Sequence, residues 1–218
     1  MTGQLLDLGR MDYEEALDLQ RELMNLRSLD KIPDTLILLE HNHVITLGRK
    51  TSPVNFRPQQ VPVYEVERGG DATYHGPGQL VGYPIIKLAD HDVRRHVVTI
   101  ENTIVGALHR FGVEAATLQG HPGVWIGGRK KIASIGVAVT NWVSYHGFAL
   151  NVNTDLSYFG LIQPCGMDPS TMTSMEKQLG KSLDMEQVKA AVAQEFATRR
   201  GEDYRPGNLP DIPHLSVK

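Results

Sequence analysis

The apolar positions of this chain follow two rhythms. Over residues 13–27, Ala16, Leu17, Leu23 and Met24 recur at roughly helical intervals, and Asp12 and Glu15 stand at capping-box spacing, which predicts a helix. Residues 94–111 carry Val97, Ile100, Ile104, Val105, Leu108 and Phe111 in the same rhythm and run into Gly112, where a helix stop belongs. Two more helical patterns cover residues 173–179, with Thr173 and Glu176 placed to cap, and residues 184–200, ended by Gly201.

Between these, short apolar or β-branched runs predict strands at residues 35–40, 62–66, 113–118, 123–126, 131–140 and 143–152. Asn141 and Trp142 are placed to turn the last two into a hairpin, and another apolar run covers residues 80–86. Residues 42–58 mix turn residues with polar side chains and predict an irregular connection, and residues 206–218 an irregular surface tail. With no internal repeat or linker, the pattern predicts one α+β domain over residues 1–218: a mixed, largely antiparallel β-sheet with packed helices.

Composition narrows the function classes. Lys+Arg 22 against Asp+Glu 25, a net charge of −3, gives no electrostatic reason for a nucleic-acid or membrane partner. The N-terminal stretch lacks a basic start and long apolar run, and Leu36–Leu39 is too short to span a bilayer, so the expectation is a cytoplasmic protein. Cys165 is the only cysteine, which excludes an intramolecular disulfide and a cysteine-rich zinc site. Its thiol is either a small buried hydrophobe or a reactive group.

Three segments carry candidate chemistry. In Arg68-Gly-Gly-Asp-Ala-Thr-Tyr-His-Gly-Pro-Gly-Gln79, glycines that admit close backbone approach accompany polar side chains, the composition of either a binding loop or a tight turn. It matches neither the Walker pattern nor the dinucleotide-binding glycine spacing. In residues 127–136 a basic cluster enters a predicted strand; most of its charges are expected in solvent, but Lys131 borders the apolar start, where desolvation favours a neutral amine able to act as a base. In Pro164-Cys-Gly166 the thiol sits between a residue that restricts the chain and one that permits a sharp turn, a setting suited to presenting a side chain. A free thiol titrates near about 8.5, so a cation that lowers it by about two pH units raises the thiolate population more than tenfold. Lys131 is the candidate cation. His75 and His146 are candidate bases or hydrogen-bonding walls, and His41 and His43 lack a third ligand, so no metal is assigned.

Taken together with Lys131-Ile-Ala-Ser-Ile-Gly136 and Tyr145-His-Gly-Phe-Ala-Leu-Asn151, these motifs resemble the octanoyl-acyl carrier protein:protein N-octanoyltransferase, or lipoyl(octanoyl) transferase, family. The resemblance covers most of the chain, from Glu40 to about Gly166, in the expected order. It implies a fold similar to the catalytic domain of lipoate and biotin protein ligases. It implies that Cys165 carries an acyl thioester and that Lys131 lowers the thiol pKa and moves protons. The implied substrate-site residues are Arg68, Gly69, Gly70, Asp71, Ala72, Thr73, Tyr74 and His75, then Ser134, Ile135 and Gly136, then Gly147, Phe148 and Ala149. Asp71 departs from the family pattern, in which glutamine is expected, and so puts the local hydrogen bonding in question.

The implied reaction moves an octanoyl group from the phosphopantetheine of acyl carrier protein to a lysine of the lipoyl domains of 2-oxoacid dehydrogenase E2 subunits and of glycine-cleavage H protein. The implied enzyme is a monomer with no bound cofactor. Three alternatives stay open: an ATP-dependent lipoate or biotin ligase of the same fold, a non-catalytic acyl- or lipoyl-domain-binding protein, and a cysteine hydrolase using His75 or His146.

Overall fold

Four successive apolar side chains, Leu36 to Leu39, all 1% exposed or less, point alternately to the two faces of strand β2 (Thr35–His41). An unbroken apolar run of this kind belongs to a strand covered on both faces, and each such side chain contributes about 1.5–3 kcal/mol on burial. The computed structural model describes residues 2–51, 61–162 and 168–209, and β2 lies near the middle of its main sheet.

Before β2 come β1 (Thr2–Met11) and helix α1 (Tyr13–Ser28). After it come β3 (Val44–Leu47), β4 (Val63–Glu65), β5 (Thr73–His75), β6 (Gln79–Ile85), helix α2 (Val93–Arg110), β7 (Ala116–Leu118), β8 (His121–Ile126), β9 (Lys130–Thr140) and β10 (Val143–Asn151). Two 3-10 turns, Leu156–Leu161 and Pro169–Thr171, lead to helices α3 (Met175–Leu179) and α4 (Met185–Arg200) and strand β11 (Asp203–Pro206). The large sheet has the order β11-β1-β2-β6-β10-β9-β8-β7, and β4-β3-β5 form a second, three-stranded sheet. In the large sheet β1 runs parallel to both neighbours and the remaining pairs are antiparallel, so the mixed, largely antiparallel α+β expectation holds.

One face of the large sheet packs on α2 and α4, with Ile100, Ile104 and Leu108 from the first and Val188, Val192 and Phe196 from the second. The opposite face packs on α1 through Leu19, Leu23 and Met24. The three-stranded sheet lies beside α1, where Tyr13 and Leu17 meet Val44 and Val66. Among the described residues no helix is long and apolar enough to cross a membrane.

Local differences from the sequence pattern have local causes. β1 is unmarked in the pattern because Gly9, at φ +62, sits where its register against β2 shifts, which breaks the two-residue alternation. Asp12 is the N-cap residue of α1, but its carboxylate accepts from Asn42 at 2.5 Å instead of capping the helix. Ser174, not Thr173, caps α3 by accepting from the Lys177 amide. The 203–206 segment pairs with β1 as β11, and residues 210–218 of the expected tail lie outside the described residues. The hairpin turn is as expected, with Asn141 and Trp142 at φ +51 and +59, the left-handed pair that a two-residue hairpin needs.

Gly82 on β6 lies opposite Phe148 on β10, and a Cβ at Gly82 would sit inside the Phe148 ring. Gly82→Ala is therefore expected to destabilise the protein by about 1–3 kcal/mol through overpacking, read as a lower urea midpoint. An unchanged midpoint would show that Phe148 yields without cost.

Candidate active site

In the β9–β10 pairing Ser134 stands opposite Ala149 and Gly136 opposite Gly147, so four small residues share one face of the sheet. No long side chain rises there, and with Ile135 and Phe148 they floor a narrow slot. Its roof is the glycine segment: Arg68, Gly70, Asp71, Ala72 and Thr73 all line it. β8 pairs with β9 only over the first residues of that strand, which leaves its edge free further on. The roof docks there, the Gly69 amide donating to the Val137 carbonyl at 3.0 Å. A Cβ at Gly136 would meet the Gly69 carbonyl at 2.8 Å, so this approach needs glycine in the floor.

Arg68 sets the shape of the roof. Its guanidinium, in a residue only 8% exposed, donates to the Gly69 and Asp71 carbonyls at 3.1 and 2.8 Å and to the carbonyl and hydroxyl of Thr46 on β3, each at 2.8 Å through Nη2. The Arg49 and Lys50 amides donate to the carbonyls of Arg68 and Gly70 at 3.1 and 3.0 Å, tying the segment after β3 to the same loop. Asp71 Oδ1 accepts the amide of Ala72 at 2.7 Å. The Gly69 and Ala72 amides are thus already engaged within the fold.

Lys131 lines one end of the slot. In the basic cluster Arg129 and Lys130 are exposed, whereas Lys131 is 5% exposed and its ammonium lies 5.3 Å from the centre of the Trp125 ring. Its carbonyl accepts from the Thr173 amide at 2.9 Å, and Lys130 Nζ donates to the Ser170 carbonyl at 2.7 Å. The segment that begins at Asp168 is thereby fastened to the start of β9. Cys165 lies outside the described residues.

A buried amide chain continues from this anchor. Asn151 Nδ2 donates to the Thr173 carbonyl at 2.9 Å, and Gln79 Nε2 donates to Asn151 Oδ1 at 3.0 Å. Gln79 Oε1 is then left to accept from His75 Nδ1 at 2.8 Å, which puts the imidazole proton on that nitrogen. Burial holds the His75 pKa well below its ordinary value, reinforced by His41 and the Arg68 charge. A neutral, hydrogen-bonded His75 suits a slot wall better than a general base.

Tyr13, Tyr83 and His146 line the slot beyond the floor glycines. The register places His146 opposite Val137, about 20 Å along the strand from Lys131. Tyr83 donates to His41 Nε2 at 2.7 Å because His41 Nδ1 is committed to the Met11 carbonyl at 2.8 Å. Burial lowers the His41 pKa to about 4 and pushes that of Tyr13 up to about 12. His146 adopts φ +55, its amide held by Gln20 Oε1 at 2.9 Å, and burial with the Arg68 charge lowers its pKa to about 4 despite Glu67 3.6 Å away.

The structure thus gathers Arg68, Gly70 to Thr73, His75, Lys131, Ser134 to Gly136 and Gly147 to Ala149 around one slot. Two expected members stand elsewhere. Tyr74 turns away from the slot, hydrogen-bonds His43 Nδ1 at 2.7 Å and stacks on Tyr158 at 5.1 Å, because β5 side chains alternate between faces. Gly69 lines the outer side of the roof. Tyr13 and Tyr83 line the slot without a sequence motif to mark them: Tyr83 is a polar-tipped ring in an apolar strand, and Tyr13 opens α1 between Asp12 and the Glu14-Glu15 pair.

The buried histidines make stability depend on pH. His41, His96 and His146 have folded pKa values of about 4 against 6.5 when exposed, so the unfolded chain binds more protons between those values. Stability is full above about pH 6.5 and falls as pH drops toward 4, by on the order of 3 kcal/mol for a fully linked histidine. Among the described residues neither ring nitrogen of buried His96 has a hydrogen-bond partner, so His96→Leu is expected to be neutral or stabilising at pH 7.5. Its urea midpoint should fall less than the parent's between pH 6.5 and 4; an equal fall would remove His96 from this linkage.

Comparison with known proteins bears on what this arrangement is. Residues 12–197 match the lipoyl protein ligase A/B catalytic domain family. An octanoyltransferase of Syntrophobacter fumaroxidans is 44% identical over 97% of this chain and 96% of its own length. Among solved structures, a lipoate-protein ligase A bound with ATP superposes with a TM-score of 0.80 at 18% identity, over 97% of this chain and 90% of that one. The biotin protein ligase of Aquifex aeolicus superposes with a TM-score of 0.53 at 12% identity, over 91% of this chain and 68% of that one. The last two establish likeness of fold, and the sequence matches establish descent: the chain belongs to the octanoyltransferase family, within the lipoyl protein ligase A/B catalytic domain group.

Proposed function

We propose that this protein transfers an octanoyl group from octanoyl-acyl carrier protein, through a thioester on Cys165, to a lysine of lipoyl-domain proteins such as the E2 subunits of 2-oxoacid dehydrogenases and glycine-cleavage H protein. The observation that carries the reading is the position of Lys131: buried, at one end of a slot floored by small residues, and hydrogen-bonded through its backbone to the segment that follows Cys165 in sequence. The slot offers an acyl chain a floor of Ser134, Gly136, Gly147 and Ala149 under the Arg68-held roof.

In the first half-reaction the Cys165 thiolate attacks the octanoyl thioester carbonyl, the bond to the carrier sulfur breaks, and the carrier leaves as its thiol after taking up a proton from the Lys131 ammonium, which becomes the neutral amine. In the second, a lysine ε-amine attacks acyl-Cys165, an amide bond forms, the cysteine sulfur departs, and the proton lost by the amine passes to Lys131. Backbone amides of the glycine segment not already engaged, or those of the turn at residues 165–166, stabilise the oxyanion in both halves. Thioester exchange is nearly balanced and thioester-to-amide transfer runs downhill, so this reaction needs neither ATP nor a bound cofactor. We place it in the cytoplasm, carried out by the monomer as a single catalytic domain.

Intact-protein mass spectrometry tests the sequence of events. Mixed with octanoyl-acyl carrier protein, the parent is expected to gain one octanoyl adduct and to pass it to apo lipoyl domain without ATP. Cys165→Ser should gain no adduct, and Lys131→Ala should transfer at least a hundredfold more slowly. A parent that stays unmodified and labels the lipoyl domain only from free octanoate and ATP would replace this reading with that of a ligase.

A further inference from the structure

On the outer side of the Arg68-held roof lies a second depression of about 470 Å³. Its walls come from four places: Val97 on α2, Pro122 and Trp125 on β8, Ile135 and Val137 at the free edge of β9, and Gly69 with Lys50 on the loops. Most of this wall is apolar, and Lys50 and His121 are its exposed polar members. It exists because β9 runs on past its pairing with β8, where the Gly69 amide caps the Val137 carbonyl.

The groove and the slot share Gly70, Asp71, Lys131, Ile135 and Gly136. The shared residues include Lys131, so a molecule reacting there has room for one half on each side of the roof. An acyl thioester on a carrier arm is divided in that way. On one side of its sulfur is an unbranched hydrocarbon chain, and on the other is an arm of amides and a geminal dimethyl group ending in a phosphodiester.

We propose that this groove is the binding site for the pantetheine arm of the acyl donor, with the geminal dimethyl group against Val97 and Val137 and the phosphodiester toward Lys50. The proposal rests on the octanoyl-transfer reading above and adds to it the path by which the thioester reaches Lys131. The apolar wall complements the dimethyl segment, and Lys50, held over the groove by its backbone bond to the Gly70 carbonyl, complements the phosphate. Val97 lies half-buried on α2 and lines the groove but not the slot, so a larger side chain there narrows the groove alone.

The test compares two donors in the intact protein: octanoyl-acyl carrier protein, and S-octanoyl-N-acetylcysteamine, which lacks the dimethyl and phosphate parts of the arm. Val97→Trp is expected to raise KM for the carrier-bound donor tenfold or more and to change KM for the short donor less than twofold. Lys50→Ala should raise KM for the carrier-bound donor alone by about three- to tenfold, and added salt should erase that difference. The short donor also reports that each variant is folded. If the parent uses the carrier-bound donor but both variants leave its KM unchanged, or impair both donors equally, the groove assignment falls while octanoyl transfer stands. If the parent ignores the carrier-bound donor and Val97→Trp instead weakens ATP-dependent labelling from free octanoate, the groove takes a nucleotide and both readings fall together.

Discussion

A guanidinium withdrawn from water has to find replacements for its hydration shell, and in this protein it finds them in backbone carbonyls of the glycine segment and of strand β3. Arg68 bonds Gly69, Asp71 and Thr46, so the cost of burying its charge is offset only when the glycine segment and β3 are held in one arrangement. The roof of the slot, its hydrogen bond to the β9 edge and the outer groove all follow from that arrangement. The same charge, with burial, keeps His75 and His146 neutral. A lysine in place of Arg68 keeps the charge but not the planar fork that reaches three residues at once.

Opposite this clamp, the sheet contributes by omission. Ser134, Gly136, Gly147 and Ala149 face the roof across two adjacent strands, and space remains where side chains would otherwise fill the interior. The constraint at Gly147 comes from the neighbouring strand, since a Cβ there would run into the Gly82 carbonyl and Pro84. Glycines that look alike in the sequence thus answer different demands: Gly136 makes room for the roof, Gly147 for β6 and Gly82 for Phe148.

The Lys131 end of the slot depends on a long-range tie. The bridge between Lys131 and Met172 and the bond from the Thr173 amide bring the segment after Cys165 to the start of β9. Asn151, Gln79 and His75 extend that tie across β10, β6 and β5. Fully bonded amides of this kind hold a site rigid at little cost, because each donor has an acceptor.

Much of this was legible beforehand. Helical periodicity located α1, α2 and α4, the left-handed pair Asn141-Trp142 marked the hairpin, and the glycine-rich segment, Lys131 and the small residues of β9 and β10 stood out as motifs. Those features are written in local spacing, where one residue's neighbours in sequence are also its neighbours in space. The chain by itself determined the α+β class, the family and the candidate chemistry. Only the tertiary structure decided that Tyr74 turns away, that Tyr13 and Tyr83 turn in, that Lys131 alone of its cluster is buried, and that slot and groove meet beside it. Those outcomes depend on which faces and edges come together, and contacts between distant segments leave no period in the sequence to read.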